Sequence, residues 1–160
     1  MEEVVVRGIA HDLDEAKITV RRVTDRPGIA ARLFGSLAER TINVDMIIQN
    51  TSEAGTTDVS FTVQEVALER ALEVCEGIKD ELGAKDVVSD LDIAKISVVG
   101  VGMKSHAGVA ANMFKALAEA DINIHMISTS EIKISCVVNQ EDAENAVRVL
   151  HAAFNLAVAA

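Results

Sequence analysis

The residues best able to do chemistry lie in one short stretch, Asp25-Arg-Pro-Gly-Ile-Ala30. The only proline of the chain, Pro27, precedes Gly28, a pair that sets a tight turn immediately before a helix. A helix start leaves backbone N–H groups without partners inside the helix, so the amides of Gly28, Ile29 and Ala30 can hold a carboxylate. Asp25 can accept from an ammonium group or cap the helix, and the residues alone leave both open. Gln49 ends a β-rich run where an amide can face a ligand, although a strand-end glutamine is more commonly solvated.

Other reactive types lead away from catalysis. Gly100-Val-Gly102 followed by Met103-Lys-Ser105 meets neither of the glycine spacings that cradle phosphates, so a plain strand-to-helix turn is expected. His11, His106, His125 and His151 fall on separate predicted elements without a ligand spacing, and no metal is assigned. Cys75 and Cys136 lie inside apolar patterns with no CxxC, which reads as buried thiols in a reducing compartment and fits a cytoplasmic protein. No nucleophile, metal or acid/base pair is legible, so no cofactor and no catalytic residue is expected. With 25 acidic and 15 basic residues, a net charge of −10, no tryptophan and no tyrosine, the chain lacks the basic face and the stacking platforms that nucleic acid requires. An anionic membrane surface is excluded on the same charge. No apolar run approaches the ~18 residues of a membrane span, and the start has no signal-peptide pattern.

The elements that must position these residues come from an internal repeat. Shifted by 80 residues, Gly28 to Ile47 aligns with Gly108 to Ile127 with eleven identities, among them Gly28/Gly108, Phe34/Phe114, Leu37/Leu117, Asn43/Asn123 and Met46/Met126. Two occurrences of so long a unit predict two similar domains in 160 residues. Each begins with a strand, Ile18 to Val23 or Ile96 to Val101. A helix follows, with the apolar stripe Ile29, Leu33, Phe34, Leu37 or Val109, Met113, Phe114, Leu117. The runs Ile42 to Gln49 and Asp58 to Val63, and likewise Ile122 to Ser128 and Ile132 to Val138, predict antiparallel hairpins. Second helices are expected over Ala67 to Leu82, carrying Leu68, Ala71, Leu72, Cys75 and Ile78 with Gly83 as its stop, and over Glu141 to Phe154. A strand near Lys85 to Leu91 completes βαββαβ in the first unit. The second lacks a matching strand after Phe154, while Glu3 to Ala10, with Val4, Val5 and Val6, forms an extra strand at the start. The economical arrangement is α+β: two ferredoxin-like βαββαβ domains, 16–92 and 1–15 with 93–160, the first inserted in the second.

Those features resemble the ACT domain, a small-molecule sensor of amino-acid biosynthesis. Asp25-Arg-Pro-Gly28, Asn43 to Asn50, Gly55 to Thr62, Lys95 to His106 and Met126 to Ser135 are together similar to the C-terminal regulatory region of aspartate kinase, across essentially the whole chain. The resemblance implies a regulatory subunit without a catalytic domain of its own, allosterically sensing threonine, lysine or both for feedback inhibition. It implies a homodimer and a partnership with an aspartate kinase catalytic (alpha) subunit. The alternative is the same sensor serving a different enzyme. The resemblance carries effector binding to Asp25, Pro27, Gly28, Ile29, Ala30 and Gln49, with Asn123 and Ile124 contributed by the other unit of a second chain. Internal symmetry then implies a second pocket from Asn43, Val44 and Asp45 with Val109, Ala110 and Ser130. There Ser105 replaces Asp25 and Ala107 replaces Pro27, so that pocket is either empty or takes a different effector.

Overall fold

The computed structural model describes residues 5–50, 54–101 and 107–155. Asp14–Leu91 forms one compact unit, and the described parts of Met1–Leu13 and Asp92–Ala160 form the other.

The first unit runs β2 (Glu15–Thr24), α1 (Ile29–Glu39), β3 (Val44–Gln49), β4 (Thr56–Gln64), α2 (Leu68–Ile78) and β5 (Asp86–Asp90). The second holds β1 (Val5–Asp12), β6 (Ile93–Val101), α3 (Ala107–Glu119), β7 (Ile124–Thr129), β8 (Lys133–Asn139) and α4 (Ala143–Ala153). Their antiparallel sheets have the orders β3-β4-β2-β5 and β7-β8-β6-β1, so β1 takes in one sheet the edge place that β5 takes in the other. Each unit is a ferredoxin-like ACT fold in the α+β class, with helices covering one sheet face.

Alternation along β2 buries Ile18 and Val20, which meet the stripe of α1 (Ile29, Leu33, Leu37) and that of α2 (Leu68, Ala71, Val74, Cys75, Ile78). Phe61 is fully buried at the centre, edge-on to Phe34 with ring centroids 5.6 Å apart. Burying such side chains contributes about 1.5–3 kcal/mol each. The second core repeats the scheme with Ile96, Val98, Met113, Leu117, Cys136 and Leu150. Val6 and Ile9 of β1 pack against it, whereas Val4 lies outside the described residues.

Element ends differ from the sequence-based expectations for identifiable reasons. Ile42, Asn43, Ile122 and Asn123 precede their strands instead of opening them. After α1, Thr41 turns left-handed (φ 58°), its amide donating to Ala38 and that of Ile42 to Leu37. After α3, Asp121 (φ 58°) and Ile122 repeat this with Ala118 and Leu117. These are Schellman caps, and the buried Leu37–Ile42 and Leu117–Ile122 pairs supply the apolar contact that accompanies them. The regular part of α2 ends at Ile78, and the chain closes through Leu82 bonded back to Ile78 and a Schellman pair, Gly83 to Asp80 and Ala84 to Lys79, with Gly83 (φ 65°) as the left-handed stop. Both second helices are entered through a 3-10 turn, Glu65–Ala67 and Gln140–Asp142.

Candidate functional site

Asp25 to Ala30 bridges the last residue of β2 and the first turn of α1. The amide of Thr24 donates to the Leu82 carbonyl (2.9 Å) and that of Asp25 to the Gly55 carbonyl (3.0 Å), which sets the direction in which the chain leaves the sheet. Gly28 then adopts φ 91°, a left-handed conformation that a side chain would resist. Ile29, 4% exposed, plugs the turn into the core, while Asp25, Pro27, Gly28 and Ala30 face solvent. The three amides expected to be open are not equivalent. That of Ile29 donates to Arg26 (3.3 Å) inside the turn, and Arg32 to Gly28 (2.9 Å) is the first bond into the helix. Among the described residues, the amides of Gly28, Ala30 and Ala31 have no backbone acceptor, the last two at the positive end of the helix dipole. Gly28, not Asp25, is the N-cap residue, so the exposed Asp25 carboxylate, five residues before Ala30, is not used as the cap.

Gln49 lies at the same end of the first sheet. It pairs with Val59 in β4, whose opening residue Thr56 pairs with Thr24. The hairpin behind it is tied by Thr57 Oγ1 donating to the Asn50 carbonyl (2.7 Å). On the helix side, Arg32 makes a forked ion pair with Glu81, Nε to Oε2 at 2.7 Å and Nη2 to Oε1 at 3.1 Å. This bonding holds the Glu81 carboxyl below its ordinary range and raises the Arg32 guanidinium.

Asn43, Val44 and Asp45 occupy the opposite end of the first sheet, where Val44 pairs with Val63 near the end of β4. The five residue steps from Val44 to Gln49 separate the two groups by about 16 Å along the strand. The second unit shows the same division. Asn123 is exposed and Ile124 half-buried at the start of β7, where His125 Nε2 meets Asn139 Oδ1 at 2.7 Å. Val109 and Ala110 are half-buried in the first turn of α3. Ser130, in the hairpin after β7, turns its hydroxyl inward to accept the amides of Ile132 and Lys133 (3.4 and 3.2 Å). Ser105, with Gly102 to Lys104 and His106, lies outside the described residues.

Sequence reasoning did not single out Gly55, Glu81 or Leu82 as supports of the turn. Of these, Gly55 (φ 79°) offered a glycine signal, but the carboxylate and carbonyls of 81–82 carried none. Among the described residues no three His, Cys, Asp or Glu side chains gather as a metal site. His11, His125 and His151 fall on β1, β7 and α4. Burial pushes the thiols of Cys75 and Cys136 up to about 12, which keeps them protonated and unreactive. No helix of the described residues is long and apolar enough to cross a membrane.

Three comparisons bear on this geometry. The ACT domain family model matches residues 13–77 and 96–154. An aspartate kinase of Stutzerimonas stutzeri (strain A1501) is 51% identical over 156 residues, which are 98% of this chain and 38% of that protein. The chain thus spans about two fifths of the length of the curated relatives it matches. Among solved structures, that of aspartokinase alpha and beta subunits contains a chain 50% identical to this one, with a TM-score of 0.89, covering 95% of this chain and 100% of that one. The ligand-free regulatory subunit of aspartate kinase from Thermus thermophilus is 46% identical, with a TM-score of 0.89 over 93% of this chain and 98% of its own.

Proposed function

This chain belongs to the ACT domain family, among the regulatory subunits of aspartate kinase, and from that premise we propose that it is the amino-acid sensor of an aspartate kinase, binding threonine, lysine or both for feedback inhibition. The observation that carries the reading is a solvent-facing Asp25 carboxylate in the same exposed turn as the open amides of Ala30 and Ala31. An α-amino acid is a zwitterion, and those groups offer an acceptor for its ammonium and donors for its carboxylate. Gln49 then meets the effector side chain, and Asn123 and Ile124 close the site from the second unit of another chain.

The separation of half-sites within each unit supports that sharing. The Asp25 and Asn43 groups sit at opposite ends of one sheet, so a unit has one half-site at each end and needs a partner for both. A homodimer in which first and second units face each other supplies two pockets of the Asp25–Asn123 kind. The Asn43-Val44-Asp45 group with Val109 and Ala110 then lines the second kind, where Ser130 contributes through its turn rather than its committed hydroxyl. We read the first unit as an insertion in the second domain, a connection that couples the two kinds of pocket within one chain. Effector occupancy favours one arrangement of the paired units by its differential affinity for it, and the partnered aspartate kinase catalytic subunit reads that shift.

Thermal melting of the purified chain with each amino acid in turn tests the proposal. At ~100 times its Kd a ligand of the native state adds roughly 2.7 kcal/mol, an evident rise in Tm. Threonine should give it, with lysine next. A transition unmoved by either at millimolar concentration refutes the effector assignment.

A further inference from the structure

The turn after α2 touches the Asp25–Ala30 turn at several points. The Leu82 carbonyl accepts the Thr24 amide at 2.9 Å, and the Glu81 carbonyl accepts from Arg26 Nη2 at 3.2 Å. The Glu81 carboxylate receives both prongs of Arg32, which stands one helical turn beyond Gly28. Gly83, at φ 65°, passes so close beneath that a β-carbon there would stand 2.3 Å from Thr24 Oγ1. Leu82, between them, is fully buried, so this support is rooted in the core although its charged tip is exposed.

The candidate site itself has little else to keep its shape. Its residues other than Ile29 face solvent, and outside the 81–83 contacts the turn is tied to the rest of the unit by the Asp25–Gly55 bond. Holding both flanks of a left-handed turn from one residue keeps the Asp25 carboxylate and the Ala30 and Ala31 amides in a fixed relation. Preorganisation of this kind raises affinity by raising the fraction of molecules ready to bind.

We propose that Glu81 is a positioning residue for the amino-acid site, holding the Asp25–Ala30 turn in its ligand-receiving shape through Arg26 and Arg32 without touching the ligand. The inference rests on reading that turn as the effector site. It also distinguishes the two units: in the second repeat Asn112 stands in the place of Arg32, and a single amide cannot reproduce the guanidinium fork. The pre-set turn therefore belongs to the first unit.

The test uses the full chain in four forms: wild type, Glu81→Arg, Arg32→Glu and the charge-reversed pair Arg32→Glu/Glu81→Arg. Two readouts are taken, calorimetric titration with threonine and with lysine, and amide hydrogen exchange in the ligand-free protein at Asp25 and Ile29, whose bonds to Gly55 and Arg26 hold the turn. Each single reversal should weaken whichever amino acid binds and speed exchange at both amides, each by about fivefold, the scale of an exposed ion pair. The reversed pair should return both readouts toward wild type, a rescue that general loss of stability does not produce. Unchanged exchange in Glu81→Arg, or a reversed pair no better than the worse single variant, overturns the proposal. If wild type binds neither amino acid, the effector reading falls and the exchange comparison still decides whether Glu81 holds the turn. If binding is lost in Asp25→Ala but intact in Glu81→Arg, positioning by Glu81 fails and the effector reading stands.

Discussion

Replacing Asp25 by alanine separates binding from folding more cleanly than any other change in the candidate site. The side chain is exposed and is not the helix cap, a role held by the backbone of Gly28. Folding should therefore lose less than about 0.5 kcal/mol, the range of ordinary surface substitutions. The charge-assisted hydrogen bond to a ligand ammonium contributes about 1.5–3 kcal/mol, so affinity should fall roughly 10- to 150-fold. Asn123→Ala, on the second unit, should weaken the same ligand while also leaving the fold intact. If each pocket takes Asp25 from one chain and Asn123 from another, every mixed dimer of the two variants contains one intact site. Random exchange makes half the dimers mixed, so calorimetry should recover about one high-affinity site per four chains. Subunit exchange is verified independently by mass-tagged chains. Confirmed exchange without recovered binding would refute the shared pocket and leave the site within a single chain.

Three further outcomes follow from the same geometry. Thr41 holds a left-handed conformation that costs a β-branched residue about 1–2 kcal/mol, so Thr41→Gly should stabilise the protein by roughly 0.5–1 kcal/mol in urea melts even after the added chain entropy; an unchanged or lowered midpoint contradicts the capping argument. Deleting residues 2–10 removes Val6 and Ile9 from the second core and bares the edge of β6, which should cost at least about 2 kcal/mol, and a truncated chain with wild-type stability would rule out that role for β1. The carboxyls of Glu81 and Asp86 are held low by hydrogen bonds from Arg32 and Arg21, so their contributions are complete above the ordinary carboxylate range and are lost as pH falls through the lowered folded values. Urea midpoints from pH 6 to pH 3 should therefore fall less steeply for Glu81→Gln than for wild type, and superimposable profiles would show that the Arg32 pair is not formed in solution.

What sequence alone determined about this protein is what depends on neighbours a few residues apart. The recurrence of Gly28 to Ile47 at Gly108 to Ile127 announced two similar units, and the stripes Ile29, Leu33, Leu37 and Met113, Leu117 announced helices laid on sheets, because a periodicity near 3.6 records which face meets the core. The Pro27-Gly28 pair marked its turn for an equally local reason, the restricted φ of one residue and the freedom of the other. Tertiary structure decided what requires distant segments to meet. Ile42 and Ile122 look like strand residues by type, yet each closes a helix cap, because Leu37 and Leu117 are buried where an apolar neighbour can complete them. Gly83 is the left-handed helix stop its type suggested, but only the fold shows that it is also the clearance for Thr24, 59 positions away. Glu81 is one acid among 25 until the packing of α1 beside α2 brings Arg32 to it across 49 positions. Such pairings leave no periodic trace, since loop closure and register, not propensity, select which polar groups are left facing each other.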